Sequence, residues 1–295
     1  MAFDVNTITG YVDEKRLPLI GKAVLGARSS ELFNLQTGVK STAALNLLDT
    51  TVEFGDGASC GWDEAGQTEL TSRNIEVAKL KVNMSFCDRE LLDTWAGYEV
   101  KVAAGRETLP FEEQFVNQII DRVNECVEHM IWNGNKTSPA NFDGILTILA
   151  NESGVITVSD TNIADLVNQV YLNIPVAILS NATIVMGEDK FREYVLDLTK
   201  KNLYHYDPKV DGNMTITMPG TSTKVIGVPG LNGTDKVVAG DLKNNFFYGT
   251  DMQDDKEVFD LWYSKDNREF RLAIQFNAGV QVAFPDQIVV GTINQ

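Results

Sequence analysis

The pattern of apolar and polar positions changes character along the chain. Residues 1–40 hold few periodic apolar positions, and Gly10, Pro18, Gly21, Gly26 and Gly38 interrupt them. That pattern predicts an extended arm that needs a partner surface. LNLLDTTVEF, beginning at Leu45, then reads as a strand entering GDGASCGWDEAGQTELTSRN, a stretch of glycine and polar residues. The chain returns with Ala78, Leu80, Val82, Met84 and Phe86 alternating with Lys79, Lys81, Asn83 and Ser85. Strict period-two alternation marks a half-buried strand. Residues 44–86 therefore read as a long two-stranded excursion with a polar tip.

From Pro110 the period becomes helical. Phe111, Phe115, Ile119, Val123, Cys126, Val127 and Met130 form one apolar stripe. Pro110 suits a first turn, Glu112 and Glu113 suit the positive end of the helix dipole, and Asn133-Gly134 supplies a stop. At 1.5 Å per residue the rod is roughly 35 Å long. Residues 162–173 read as a second helix with Asn162 as N-cap and Asp165 in its first turn. ATIVM is a buried strand, and GEDKFREYVLDLTKK is a helix with acids first and lysines last. KVIGVPGL, KVVAGDLKNNFFYG and REFRLAIQFNAGVQVAF read as strands around turns. The class is α+β, with strands clustered late.

Composition narrows the function. At 295 residues, two subdomains are expected rather than one core, and 43% apolar content suits a globular protein. A net charge of −16 with no basic stretch opposes binding to a phosphate backbone, so neither sequence-specific nucleic-acid binding nor attachment to an anionic membrane is expected. The N-terminus carries early acids and no long apolar run, unlike a signal peptide, and no stretch approaches a bilayer span. Cys60, Cys87 and Cys126 are odd in number and widely spaced, which suits a reducing cytoplasm. Six N-x-[ST] sequons then read as chance matches.

Each chemical motif fails on its context. GASCG fits the G-x-S-x-G of a nucleophile elbow, but that turn needs a helix directly after Ser59, and a glycine-broken polar run follows. The two histidines, His129 inside the long helix and His205 between Tyr204 and Tyr206, are poor general bases for it. Ser59 reads as a loop residue. Cys126 and His129 are spaced i, i+3, yet a structural zinc site wants four ligands and no second pair exists; Cys126 on the stripe reads as a buried thiol. GVPGLNG beside Lys236 lacks the Gly-Lys-Ser/Thr of a phosphate loop, and DMQDDKE lacks the glycine and terminal glutamate of a calcium loop. No catalytic residue, metal or cofactor is expected. An arm, a hairpin and a rod, each more extended than a monomer needs, leave surface for something else to cover. They point to a self-assembling structural protein.

The order of these parts resembles the major capsid proteins of tailed bacteriophages, with the Hong Kong 97-like fold. GWDEAGQTELTSRNIEVAKLKVNMSFCDRELLD is similar to that family's extended loop and return strand, with Leu91, Leu92 and Asp93 where the loop rejoins the body. FEEQFVNQIIDRVNECVEHMIWNGNKTSPANFDGIL resembles the spine helix and the turn after it, and VVAGDLKNNFFYG the Gly-Asp element of the axial domain, here Gly240 and Asp241. The resemblance implies an N-terminal arm over 1–43, an extended loop over 44–86 and a peripheral domain over 87–150 with its spine helix at 110–133. An axial domain over 151–267 and C-terminal strands over 268–295 complete it. It also implies that Trp62 and Glu64 at the loop tip, with Lys79 and Lys81 on the return strand, contact a neighbouring subunit. The implied function is an icosahedral shell of hexamers and pentamers around double-stranded DNA, found in the virion and assembled in the host cytoplasm. Portal, decoration and separate scaffold proteins are the implied partners. Some members cross-link subunits through a lysine and an asparagine; no such pair is identified here. The rival readings are an encapsulin-type compartment of the same fold, a serine hydrolase using Ser59, and a monomeric binding module. If GASCG is only a loop, Ser59→Ala should change stability by no more than about 0.5 kcal/mol and remove no esterase activity; loss of a measurable hydrolysis in that variant would restore the nucleophile.

Overall fold

The computed structural model describes residues 5–52, 54, 66–87, 111–137, 141–201, 214–251 and 258–294. The first elements are α1 (Val5–Leu25), α2 (Arg28–Leu32), β1 (Asn34–Gln36), β2 (Thr42–Thr51), β3 (Gln67–Glu76) and β4 (Ala78–Cys87). They are followed by α3 (Phe111–Asn133), α4 (Ile145–Asn151), β5 (Ile156–Asp160), α5 (Ile163–Asn173), β6 (Thr183–Gly187) and α6 (Glu188–Lys200). β7 (Thr215–Thr217), β8 (Lys224–Val228), β9 (Lys236–Gly240), α7 (Leu242–Asn245) and β10 (Phe246–Thr250) come next, and β11 (Val258–Ser264), β12 (Glu269–Val282) and β13 (Val289–Ile293) end the chain.

β12 organises the first sheet. It pairs antiparallel with β10 and β11, β1 lies parallel beside β10, and β4 pairs antiparallel along β12 from Ala78↔Ala278 to Cys87↔Glu269. Phe270, Leu272, Ile274, Phe276 and Ala278 alternate inward and are buried, as the period predicts. The helices α1 and α3 lie over that face and join its core. The second sheet runs β5-β13-β9-β6-β8-β7. On one face α5 and α6 bury Leu166, Val167, Val170 and Phe191 against Ile184, Met186 and Val237. On the other, Val185, Val238 and Val290 join the core of the first sheet.

Caps explain several boundaries. Asn162 Oδ1 accepts from the N–H groups of Ala164 and Asp165 at 2.9 and 3.2 Å, and its Nδ2 donates to Asp197 Oδ2 at 2.9 Å, tying α5 to α6. Asp241 caps the single turn of α7 in the same way, accepting from Lys243 and Asn244. The Gly240-Asp241 pair is thus a strand end followed by a cap.

Two expectations fail. The N-terminal segment is helical rather than extended: α1 contains Pro18, and Val12, Leu19, Ile20, Ala23 and Val24 are buried. Those positions keep helical spacing, but the proline and glycines around them read as breaks. On α3 the buried apolar positions are Val116, Ile119, Ile120, Val123, Val127, Ile131 and Trp132. The buried stripe is rotated from the expected one, because α3 packs on α1 as well as on the sheet. Phe115 and Met130 are half-buried on its flank, and Cys126 is exposed, not a core thiol.

One buried carboxylate joins the N-terminal segment to α3. Glu128 is only 2% exposed, and it accepts from the Ser29 N–H at 2.8 Å and the Ser29 hydroxyl at 2.6 Å. The buried Trp132 indole N–H donates to that hydroxyl at 2.7 Å. Gly230 closes over the pair: a Cβ there would meet Glu128 O and Trp132 Cδ1 at 2.4 Å. Burial pushes the Glu128 carboxyl above its ordinary value of 4.5, against hydrogen bonds from Ser29 and Gly230 that pull it down.

Two predictions follow from these positions. Ile120→Ala should cost about 2–5 kcal/mol, and Cys126→Ala, at an exposed site, no more than about 0.5 kcal/mol, both by denaturant unfolding. Because the folded value for Glu128 is raised, the neutral acid favours the fold. Its contribution is full below pH 4.5 and is lost as pH rises through the folded value. The neutral Glu128→Gln should therefore melt highest relative to wild type near pH 7 to 8, with the gap closing towards pH 4.5. A gap of the same size at both ends would refute the buried-charge account.

Candidate interaction surface

β2 and β3 form a two-stranded antiparallel ribbon, from Thr42↔Glu76 at its root to Thr51↔Gln67. The hairpin therefore closes with Gln67–Glu76, a segment that reads as polar tip in the sequence, and not with 78–86. Threonine, serine and charged residues can fill a ribbon open to water over most of its surface, so its strands carry little apolar alternation. At the root, Leu45 and Ile75 are buried with Val39 in a small apolar cluster.

The ribbon's other face is mostly polar but carries an uncovered apolar pair towards its far end. Leu48 and Leu70 are directly opposed and are 64% and 72% exposed. Val52 and Phe54 continue the same parity of the chain at 71% and 99%. Isolated exposed leucines are ordinary, but an opposed pair with two more apolar residues beyond it is a patch. A two-stranded ribbon is marginal without further support.

A second apolar surface lies beside β4. Among the described residues, β4 pairs only with β12, so its other edge is open. Between that strand and α3 runs a groove of about 480 Å³, lined chiefly by Leu80, Val82, Met84, Phe86, Ile119 and Met130. Phe115 meets Phe86 edge-on there, with ring centroids 5.1 Å apart. Lys81, Gln118 and Arg122 supply polar groups to its wall, and the exposed Cys126 thiol opens into it.

Of the expected contact residues, Lys79 and Lys81 are both exposed on β4, and Lys81 reaches the groove. Trp62, Glu64, Ser59 and Cys60 lie outside the described residues, as do Leu91, Leu92, Asp93 and His205. His129 is exposed on α3. GVPGLNG forms the end of β8 and a single 3₁₀ turn, and Lys236 Nζ donates to Thr292 Oγ1 at 2.8 Å instead of guarding a phosphate loop. Among the described residues no cluster of His, Cys, Asp or Glu could hold a metal ion, and no helix is long and apolar enough to cross a membrane. The groove and the exposed ribbon face are what sequence reasoning missed. Their available signal was the even-numbered row Leu48, Val52 and Phe54.

No family model matches the chain, and no curated protein matches it in sequence. Solved structures do match. A chain of the satellite phage P4 procapsid aligns with a TM-score of 0.65 at 12% identity, covering 95% of this chain and 91% of that one. The capsid of an empty GTA particle aligns at 0.60 and 11% identity, covering 93% and 90%. The chain has a capsid-protein fold. A virus-like particle from Pyrococcus furiosus shares this capsid fold at a TM-score of 0.52 and 10% identity, over 94% and 97% of the two chains. The capsid fold accounts for both sheets and the long helix together, since each alignment runs over nearly the whole chain.

Proposed function

We propose that this protein is the structural subunit of a closed shell, a major capsid protein of tailed-phage type, with no enzymatic role. The observation that carries the reading is likeness over nearly the whole chain to subunits of assembled particles. In the Hong Kong 97-like scheme, α3 is the spine helix of a peripheral domain, the second sheet belongs to the axial domain, and the ribbon is the extended loop. The shell encloses double-stranded DNA, and the acidic chain, at −16, keeps the duplex from adhering to the wall. Scaffold, portal and decoration proteins are the expected partners, and the virion is the expected location.

The ribbon and groove suggest how subunits meet. Only Val77 separates β3 from β4, and the Asn74 carbonyl lies beside Gln281 while Ala78 pairs with Ala278, so both strands follow the line of β12. The ribbon therefore leaves one end of the sheet, whereas the groove lies along β4 on the other side of Val77. The described part of a subunit's ribbon thus points away from its own groove. A neighbour's ribbon can fill it, with Leu48, Leu70 and Phe54 entering the groove and the open edge of β4 accepting a strand. Lys79, Lys81 and Arg122 then meet a ribbon whose sequence carries Asp49, Glu53 and Glu69, and the tip with Trp62 and Glu64 reaches beyond. Such a contact is head-to-tail, the kind that closes into rings.

A second reading is an encapsulin-type compartment of the same fold; the likeness to a virus-like particle, 0.52 against 0.65 for the phage procapsid, does not favour it over a phage shell. Nucleic acid inside purified particles separates the two. For the ribbon, Leu48→Thr combined with Leu70→Thr should leave thermal melting nearly unchanged, since both sites are exposed and threonine suits a strand, while electron microscopy finds no closed particles. Normal particles from the variant would overturn the ribbon's part. Wild-type protein that stays monomeric under all conditions would overturn the shell itself.

A further inference from the structure

The root of the ribbon is held in two ways that differ in kind. Val39, Leu45 and Ile75 pack together with Phe247 beside them, an apolar pivot. Around it, charged groups on both faces of β3 reach out to the body of the subunit. Arg73 pairs with Glu152, the C-cap of α4, and Glu76 pairs with Lys136 in the turn after α3. Gln281 Nε2 on β12 donates to the Asn74 carbonyl at 2.7 Å.

These two kinds of contact constrain different things. Apolar packing is non-directional, so a cluster of three side chains fixes where the ribbon is rooted more firmly than the angle at which it leaves. Ion pairs reaching to α4 and to the turn after α3 are directional contacts at two points of the strand, and so bear on its angle. The ribbon also has room to move. A cavity of about 410 Å³ lies under the root, between Asn74, Glu76 and Val77 on the ribbon side and Lys136, Phe142 and Asp143 on the body. The backbone contact at the pivot is tight: a Cβ on Gly279 would meet Glu76 O at 2.1 Å. Glycine at 279 is what lets the strand approach β12 this closely.

We propose that this charged clasp over an apolar pivot sets the tilt of the ribbon, so that the tilt responds to ionic strength while both sheets stay rigid. Partly exposed ion pairs hold weakly and are screened by salt, whereas the buried pivot is not. The clasp is therefore the adjustable element of the subunit. Its consequence for a shell rests on the function proposed above: subunits in unlike surroundings would differ in one angle instead of refolding. The clasp itself does not rest on that reading, and its test needs no particles.

The test is a distance measurement by double electron–electron resonance. Cys60, Cys87 and Cys126 are changed to serine, and spin labels are placed at Thr50→Cys on the ribbon and Thr199→Cys on α6. Labelled full-length chain is diluted with unlabelled chain, so that only distances within one subunit are read. At about 50 mM salt the distribution should be narrow; at about 1 M, where screening falls to roughly 3 Å, it should broaden or move by several ångströms. Arg73→Glu should give the broad form at low salt, and adding Glu152→Arg should restore the narrow one. A distribution indifferent to salt and to Arg73→Glu would show that the pivot alone fixes the tilt, and failure of the double exchange to restore it would also count against the clasp. If Arg73→Glu does not fold, the salt series on the otherwise native chain decides.

Discussion

The inner face of β12 is the constraint on which the rest of the subunit depends. It is a strand of 14 residues with an alternating buried row, and it pairs with β4, β10 and β11. Because Phe270, Leu272, Ile274 and Phe276 need cover, α3 and α1 are drawn across them. Because β10 and β11 lie along one edge of β12, β4 takes the other, and the ribbon that precedes β4 is thrown clear of the body. Tyr248, on β10, reinforces the arrangement: its hydroxyl donates to the Val24 carbonyl at 3.0 Å, satisfying one of the acceptors left free at the end of α1.

Local signals in the sequence were legible where chemistry and geometry coincide within a few residues. Asn162 before an apolar period announced α5 and its cap, and the alternation through Phe270 and Phe276 announced β12. α3 was legible as a helix from Phe111 to Asn133, but not in its rotation. A helix apolar over a wide arc can turn either flank to the core, and the partner that decides, α1, was itself hidden. α1 was hidden because Pro18 and its neighbouring glycines are breakers in isolation, whereas burial of Val12, Leu19 and Val24 outweighs their cost in the fold. β3 was hidden for the opposite reason: apart from Ile75 at the root its residues have little to pack on, so they carry no apolar period to read.

The Ser29–Glu128–Trp132 junction shows a different economy. A carboxylate buried at 2% exposure beside an indole is costly by itself. Here it accepts two hydrogen bonds from a single serine, in a segment where the chain turns from α1 into α2. Apolar residues of similar size would pack as well but would not specify which residue of the N-terminal segment sits there. Arg28, next to that serine, extends the tie to Glu188 at the start of α6, 3.9 Å away. The N-terminal segment, the long helix and the second sheet's covering helix are thereby held in one register.

The exposed apolar patch of the ribbon also bears on how firmly copies of the chain could hold one another. A ribbon held to its subunit only at the root, with exposed leucines beyond, gives up side-chain and hinge freedom when it docks. That ordering opposes binding, so the contact is weaker than its buried area suggests. Weakness in a contact repeated many times is useful. In the ring proposed above, a subunit arriving in the wrong orientation would make one such contact and depart, whereas one completing the ring would make two and stay. Errors would then be removed by dissociation.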